Sequence, residues 1–427
     1  MQIVDRTKAP AIHGISYFPF PDYSVTKLGN GAKLVLHPVA DVEFTNIMVA
    51  FDAPVRQKSQ RILVQMVLSC LRNGSRQFSQ KQIDSNLDFY GATLSPMAGR
   101  GHYSITLSAL TRVLPNVLPM FADIIYNPIF PQKELGIKLN NIRTSIKMAL
   151  LDVGYLAEKQ KTFMLYGEGH PYLENEIEDF DIVTPEALVE THRQYFSASR
   201  MSVLVSGKIN SDVISQIEQM FGSVAFSDSP ADLPLPAAHP VADKLGFVPV
   251  KDALQSDIEI ARTVNPADDE LHQLSFTNVI FGGYFGSRLM SNIREQKGYT
   301  YGINSMFTTR HEVKEINVST EADVKYTKAV MQEVEKEMDR LCNELVGTDE
   351  LEEVRKYCQG EYILAMSRGL QMQRTLFLYV LNGIDCKQFF DKRWQVIESI
   401  TADDVLKIAQ KYFNYNDYKV AVAGQME

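Results

Sequence analysis

The side chains able to do chemistry are few and scattered. Eight histidines, His13, His37, His102, His170, His192, His239, His272 and His311, are spaced so that none lies within four positions of another. No helix can therefore carry the i, i+4 histidine pair that grips a catalytic zinc. Isolated histidines such as His170, before Pro171, and His239, in a proline-rich stretch, read as solvated or hydrogen-bonded loop residues. The four cysteines, Cys70, Cys342, Cys358 and Cys386, form no C-x-x-C; they read as reduced thiols of a cytosolic protein, with neither a zinc knuckle nor a disulfide frame. There is no G-x-S-x-G elbow and no G-x-x-x-x-G-K-[ST] phosphate loop. Phe281 to Leu289 (FGGYFGSRL) is glycine-rich, but it follows a helical pattern, Leu271 to Ile280, and lacks dinucleotide-loop spacing. Gly282, Gly283 and Gly286 permit either a tight turn or a moving substrate-recognition loop. Beyond it, Ile293 to Gly302 (IREQKGYTYG) gathers Arg294, Glu295, Tyr299 and Tyr301. Spacing alone makes Arg294 and Glu295 a solvated helix end, Gly298 its cap, and Tyr299 and Tyr301 alternate residues of a strand.

The chain that must position these groups has 427 residues, enough for two large domains or three smaller ones. Hydrophobic residues make up 45% and charged residues 22%, an ordinary globular balance. The net charge of −9 argues against a nucleic-acid partner and against an anionic membrane surface. No apolar run has the length of a signal peptide or a membrane span, so a cytoplasmic protein is expected. The single tryptophan, Trp394, decides nothing. Ser227 to Ala242 (SDSPADLPLPAAHPVA) carries four prolines without periodicity and reads as a linker or a loose surface loop. It separates an N-terminal domain, 1–226, from a C-terminal domain, 243–427.

These halves share a segment. Thr184 to Gly207 and Thr401 to Gly424 align without a gap over 24 residues at an offset of 217. Each starts with Thr before acidic residues, a helix N-cap, runs to Tyr-Phe, and ends in Val-x-Val and Gly with the period of a strand. So long a period means tandem domains rather than a solenoid. Within the first half, Gly29-Asn30-Gly31 is a hairpin signal, Asn46 to Phe51 and Tyr103 to Leu110 are strands, and Arg61 to Leu71 is an apolar helix. Ser79 and Gln82 form a capping box for a helix to Tyr90; Val113 to Asn127 and Pro131 to Leu151 are further helices. The expected class is α+β, with helices on one face of a mostly antiparallel sheet in each domain.

Several pieces, in order, resemble the pitrilysin-type (M16) metallopeptidases, the insulinase and mitochondrial-processing-peptidase clan. They are Leu28 to Gly31, Leu71 to Ser75, Gly91 to Leu94, Asn127-Pro128 with Phe130 and Glu134, Gly169 to Tyr172 with Thr184-Pro185, and Thr348 to Leu351. The most specific is Ser287-Arg288-Leu289 with Arg294-Glu295, Gly298 and Tyr301. The resemblance spans essentially the whole chain and implies the two-domain fold of that clan. It also exposes a loss. Aligned from Leu71 and Gly74, the H-x-x-E-H zinc motif falls on Gln65-Met66-Val67-Leu68-Ser69, and the third ligand near Thr144-Ser145. An amide and hydroxyls are poor zinc donors, and Leu68 cannot take a proton. Arg294 and Tyr301 remain; in the family that pair contacts the substrate backbone, and a guanidinium and a phenol can both donate to a carbonyl oxygen.

The resemblance thus implies a non-zinc subunit of a heteromeric peptidase. It would hold no cofactor itself, supply Arg294 and Tyr301 to a zinc-bearing sister chain, and act on short or unfolded peptides. The alternative it leaves open is a scaffold subunit, with Arg294 and Tyr301 as inherited packing.

Overall fold

The Gly29-Asn30-Gly31 turn closes as its residues require. Gly31 takes φ 88°, and β1 (Ser24–Lys27) and β2 (Lys33–Pro38) pair antiparallel with Val25 opposite Val35. This computed structural model describes residues 7, 14–99, 101–225, 234–310, 312–367 and 369–426. His13 and His311 therefore lie outside the described residues, as does the 227–233 part of the expected linker. Further strands are β3 (Phe44–Asp52), β4 (Thr93–Ala98), β5 (His102–Leu110), β6 (Met201–Gly207), β7 (Leu245–Pro249), β8 (Gln255–Val264), β9 (Thr300–Arg310), β10 (Val313–Asp323) and β11 (Lys419–Gly424). The helices of the first half are α1 (Lys58–Cys70), α2 (Gln80–Tyr90), α3 (Leu114–Tyr126), α4 (Gln132–Ala149), α5 (Val153–Tyr166), α6 (Pro185–Tyr195) and α7 (Ser211–Ile217). Those of the second are α8 (Leu271–Asn278), α9 (Thr327–Asn343), α10 (Thr348–Met366), α11 (Met372–Val380), α12 (Cys386–Ser399) and α13 (Ala402–Tyr412). Among the described residues no helix is long and apolar enough to cross a membrane.

Two mostly antiparallel sheets organise the chain, in the orders β1-β2-β6-β3-β5-β4 and β7-β11-β8-β10-β9. The repeated segment occupies the same place in both. β6 lies parallel to β2 and antiparallel to β3; β11 lies parallel to β7 and antiparallel to β8. Thr184 and Thr401 cap α6 and α13 by accepting the N–H of Ala187 and Asp404. The shared phenylalanines close each helix onto the core. Phe196 meets Phe51 with ring centroids 4.8 Å apart, and Phe413 meets Phe281 at 5.2 Å.

Each sheet is covered on both faces, and one cover comes from the other half. Along β3, Ile47, Val49 and Phe51 join the core of α1 and α3, whereas Met48 and Ala50 join the core of the second half with Leu376 and Phe377 of α11. Gln373 of α11 donates to the carbonyls of Asn46 and Leu204, at 3.2 and 2.8 Å. Conversely α5 lies on β7, β8 and β11. A Cβ on Gly246 would stand 2.5 Å from Met164 Sδ, so glycine there lets α5 approach. Residues 234–242 form no strand but are tied down. His239 and Val241 donate their N–H to the carbonyls of Tyr166 and Met164, and at Gly167 (φ 79°) a Cβ would fall 2.3 Å from the His239 carbonyl oxygen.

Candidate functional site

α1 presents the five positions at which a zinc motif is expected. Gln65 and Ser69 are half-buried, one turn apart on one face. Ser69 Oγ donates back to the Met66 carbonyl at 3.0 Å, and Lys138 Nζ of α4 caps the Ser69 carbonyl at 2.8 Å. Leu68 is 3% exposed and belongs to the first core with Met66 and Val67. Ser145 is exposed on α4, and Thr144 Oγ1 donates to Asn140 O at 2.9 Å. A zinc ion does not fit this donor set. Among the described residues no three His, Cys, Asp or Glu side chains converge on a point that could hold a metal. Where a general base would stand, this helix has a packed core residue. Leu68→Ala is expected to cost about 2–5 kcal/mol of stability by leaving a cavity; urea unfolding measures it.

The isolated histidines are explained by packing. His170 is buried, stacks on Tyr166 at 4.8 Å and accepts the Tyr172 N–H at Nδ1. His192 Nε2 meets the Ile125 carbonyl at 2.7 Å, and burial lowers its pKa. The four cysteines are unpaired thiols.

In the second half the glycine-rich segment and the Arg294 segment are both wound as π-helices, Val279–Gly283 and Met290–Gln296. Gly282 is buried, and a Cβ there would sit 2.7 Å from Ser305 N, so this glycine lets the segment close onto β9. Gly283 and Gly286 are exposed. Asn278 Nδ2 donates to the Ser305 carbonyl at 2.8 Å and Met290 Sδ accepts the Ile303 N–H, which covers part of the outer edge of β9. Arg288 is structural, forked onto Glu350 at 2.7 and 2.9 Å. The second π-helix is anchored by Asn292, which donates to Glu333 and Glu337 at 3.2 and 2.7 Å. Burial would raise the Glu333 pKa, but Lys336, Lys297 and Asn292 outweigh it and hold the carboxyl at about 2.

On this braced platform two groups stay open. The Arg294 guanidinium lies over the Phe285 ring, 4.5 Å from its centroid, and the nearest carboxylate oxygen, on Glu295, is 4.0 Å away. Tyr301, at the start of β9, is 93% exposed. Phe285 is itself 63% exposed, so Arg294 is oriented by an aromatic face without being neutralised. The sequence signal for Arg294 and Tyr301 was their spacing; Phe285, two residues past the glycine pair, carried none.

Comparisons with known proteins bear on this arrangement. Residues 183–358 match the family model described as "Peptidase M16 inactive domain". An uncharacterized zinc protease of Bacillus subtilis is 20% identical over 400 residues, covering 92% of this chain and 96% of that one. The 183–358 segment of the chain is M16-like. A crystal structure of a peptidase M16 inactive domain from Pseudomonas fluorescens superposes on this chain with TM-score 0.85, covering 95% and 99% of the two chains at 19% identity. At that identity the likeness is one of fold. The mitochondrial-processing peptidase subunit alpha of Solanum tuberosum is 24% identical over 139 residues, covering 30% of this chain and 27% of that one.

Proposed function

We propose that this chain is the zinc-free subunit of a two-chain peptidase. It offers Arg294 and Tyr301, with part of the wall of a peptide chamber, to a sister chain that carries the metal. The observation that carries this reading is the contrast between two surfaces of one molecule. The α1 face has a core leucine, an amide and a hydroxyl where the chemistry would need donors and a base. The Arg294 platform keeps a guanidinium that is one-third exposed and without a close ion pair, and a phenol that is 93% exposed. Groups retained only for packing would be buried or paired, as Arg288 is. Where both donors reach one carbonyl of a bound peptide, they would orient that bond and stabilise the oxyanion that develops when it is attacked. A relative from Solanum tuberosum, similar over 30% of this chain, is named as a subunit of a processing peptidase, which supports an assembly of more than one chain.

The test is reconstitution. The chain is purified alone and with an M16-type chain that bears an intact H-x-x-E-H, and zinc content and hydrolysis of a quenched fluorescent peptide set are measured. Alone it is expected to bind no zinc and cleave nothing; together, cleavage appears with zinc on the sister chain. Chelator-sensitive cleavage by the lone chain overturns the proposal. A complex equally active with Arg294 and Tyr301 replaced favours the scaffold reading.

A further inference from the structure

A cleft of about 780 Å³ opens away from the Arg294 platform, between α8, α11, α12 and the far ends of β9 and β10. Leu271, Phe307, Leu378 and Phe389 make its walls apolar. Its charges are unevenly matched. Of the three anions, Glu312 already takes both terminal nitrogens of Arg56, at 2.6 and 3.0 Å, Asp385 is the N-cap of α12, accepting the Gln388 N–H at 3.1 Å, and Asp268 is exposed at the rim. Of the cations, Arg393 and Lys314 are half-buried and make no hydrogen bond or ion pair with any described residue. Lys392 reaches only the Asp268 carbonyl, at 3.4 Å. The imidazole of His272 is held at about 4, by burial first and then by Arg393 and Lys392. The cleft therefore joins an apolar wall to two half-buried cations that no anion of the lining pairs with. Ser275, Thr309 and Gln388 line it as well, their side chains without hydrogen bonds among the described residues.

We infer that this cleft binds the C-terminal end of a short apolar peptide, with its free carboxylate on Arg393 and Lys314 and its last side chain against Phe307 and Phe389. A guanidinium fork matches a carboxylate, and an unpaired half-buried Arg gains most from one. The three unpaired polar side chains suit the amide groups of a peptide. A plain fatty or aromatic acid would leave them unmatched. The site is separate from Arg294 and Tyr301, so its failure would leave the proposed function untouched.

The experiment uses the full chain and three probes: N-acetyl-Leu-Phe with a free carboxylate, the same dipeptide amidated, and 3-phenylpropionate. Calorimetry gives affinities. Fluorescence of the only tryptophan, Trp394, buried next in sequence to Arg393, gives a second readout. The free acid is expected to bind at least about tenfold more tightly than the amide, and more tightly than phenylpropionate. Arg393→Gln should remove about that tenfold for the acid and leave the amide unchanged; Lys314→Gln, on another element, should act in the same direction. Equal binding of acid and amide, no binding of the acid, or phenylpropionate binding as well as the peptide would each overturn the assignment. The probe comparison on the unaltered chain decides the matter even if a variant misfolds.

Discussion

Replacing Arg294 by Ala in the reconstituted pair should lower kcat/KM for peptide cleavage by about 10²–10³, the range measured when one fixed oxyanion donor is removed. Tyr301→Phe, which deletes only the hydroxyl, should fall at or just below the lower end of that range. Tyr301 is 93% exposed, and Arg294 gives up only its stacking on the exposed Phe285 ring and a 4.0 Å approach to Glu295, so neither change removes core packing. The thermal midpoint of the chain and its affinity for the sister chain should therefore stay where they were. If the loss lies in kcat with KM unchanged, the interaction is made in the transition state; if KM alone rises, the pair only holds the substrate. Phe285→Ala is the companion variant. It frees the guanidinium from the ring it lies on and should reproduce part of the Arg294 loss through orientation. Unchanged turnover in all three would sink the catalytic role and leave the scaffold.

The largest effect on stability is expected at Lys161. This residue of α5 is buried with its side chain 4% exposed, beneath the second sheet. It pairs with Glu158 on its own helix, with Glu259 of β8 at 3.6 Å and with Glu315 of β10 at 3.4 Å. Glu315 also accepts from Tyr166, and Asn317 donates to Glu259 at 2.5 Å. Lys161→Met keeps the stem and deletes the charge, leaving carboxylates stranded between the halves. Breaking such a buried set by removing one partner costs about 3–5 kcal/mol. Chemical denaturation of the variant should show it, and a change within error of zero would refute the account.

The same interface sets a pH dependence. Burial pushes the Glu259 carboxyl up to about 7, and burial with Glu259, Glu321, Asp152 and Glu158 nearby pushes Asp257 up to about 8. Both values lie above those of the unfolded chain. The folded state therefore holds protons that the unfolded state releases between about pH 4 and 8. Stability from these groups falls as pH rises through that window and levels off above it. Burial opposes the Lys161 charge, but Glu315, Glu259 and Glu158 outweigh it and raise its pKa, so its contribution stays intact throughout the window. The Lys161→Met penalty should accordingly shrink toward pH 5, where the stranded acids can take up protons. Asp257→Asn should flatten the profile, raising the midpoint at pH 8 more than at pH 5.

Much of the local structure could be read from the residues. The Gly29-Asn30-Gly31 turn, the Ser79, Thr184 and Thr401 caps and the Gly298 cap (φ 66°) depend on side chains within a few positions of the backbone they serve. The repeat at 217 residues emerges as one strand position in two sheets because homologous strands keep their neighbours. The interface around Lys161 was not legible. In β8 the run Asp257-Ile258-Glu259-Ile260 alternates as a strand with one wet face, and nothing local says that the wet face is roofed by α5.

The amino-acid order alone determined many elements of the first half, several caps and the repeated segment, because each depends on residue type at short range; the resemblance to a family, not local pattern, placed the expected zinc positions on Gln65, Leu68 and Ser69. Tertiary structure alone decided that α5 and α11 cross to the opposite sheets, that charged residues of β8 and β10 are buried, and that Arg294 rests on Phe285 while Arg393 stands unpaired in a cleft. Those outcomes depend on which surfaces meet across more than a hundred residues of chain. A periodic pattern shows that a face is apolar or polar; it does not identify the surface that will cover it.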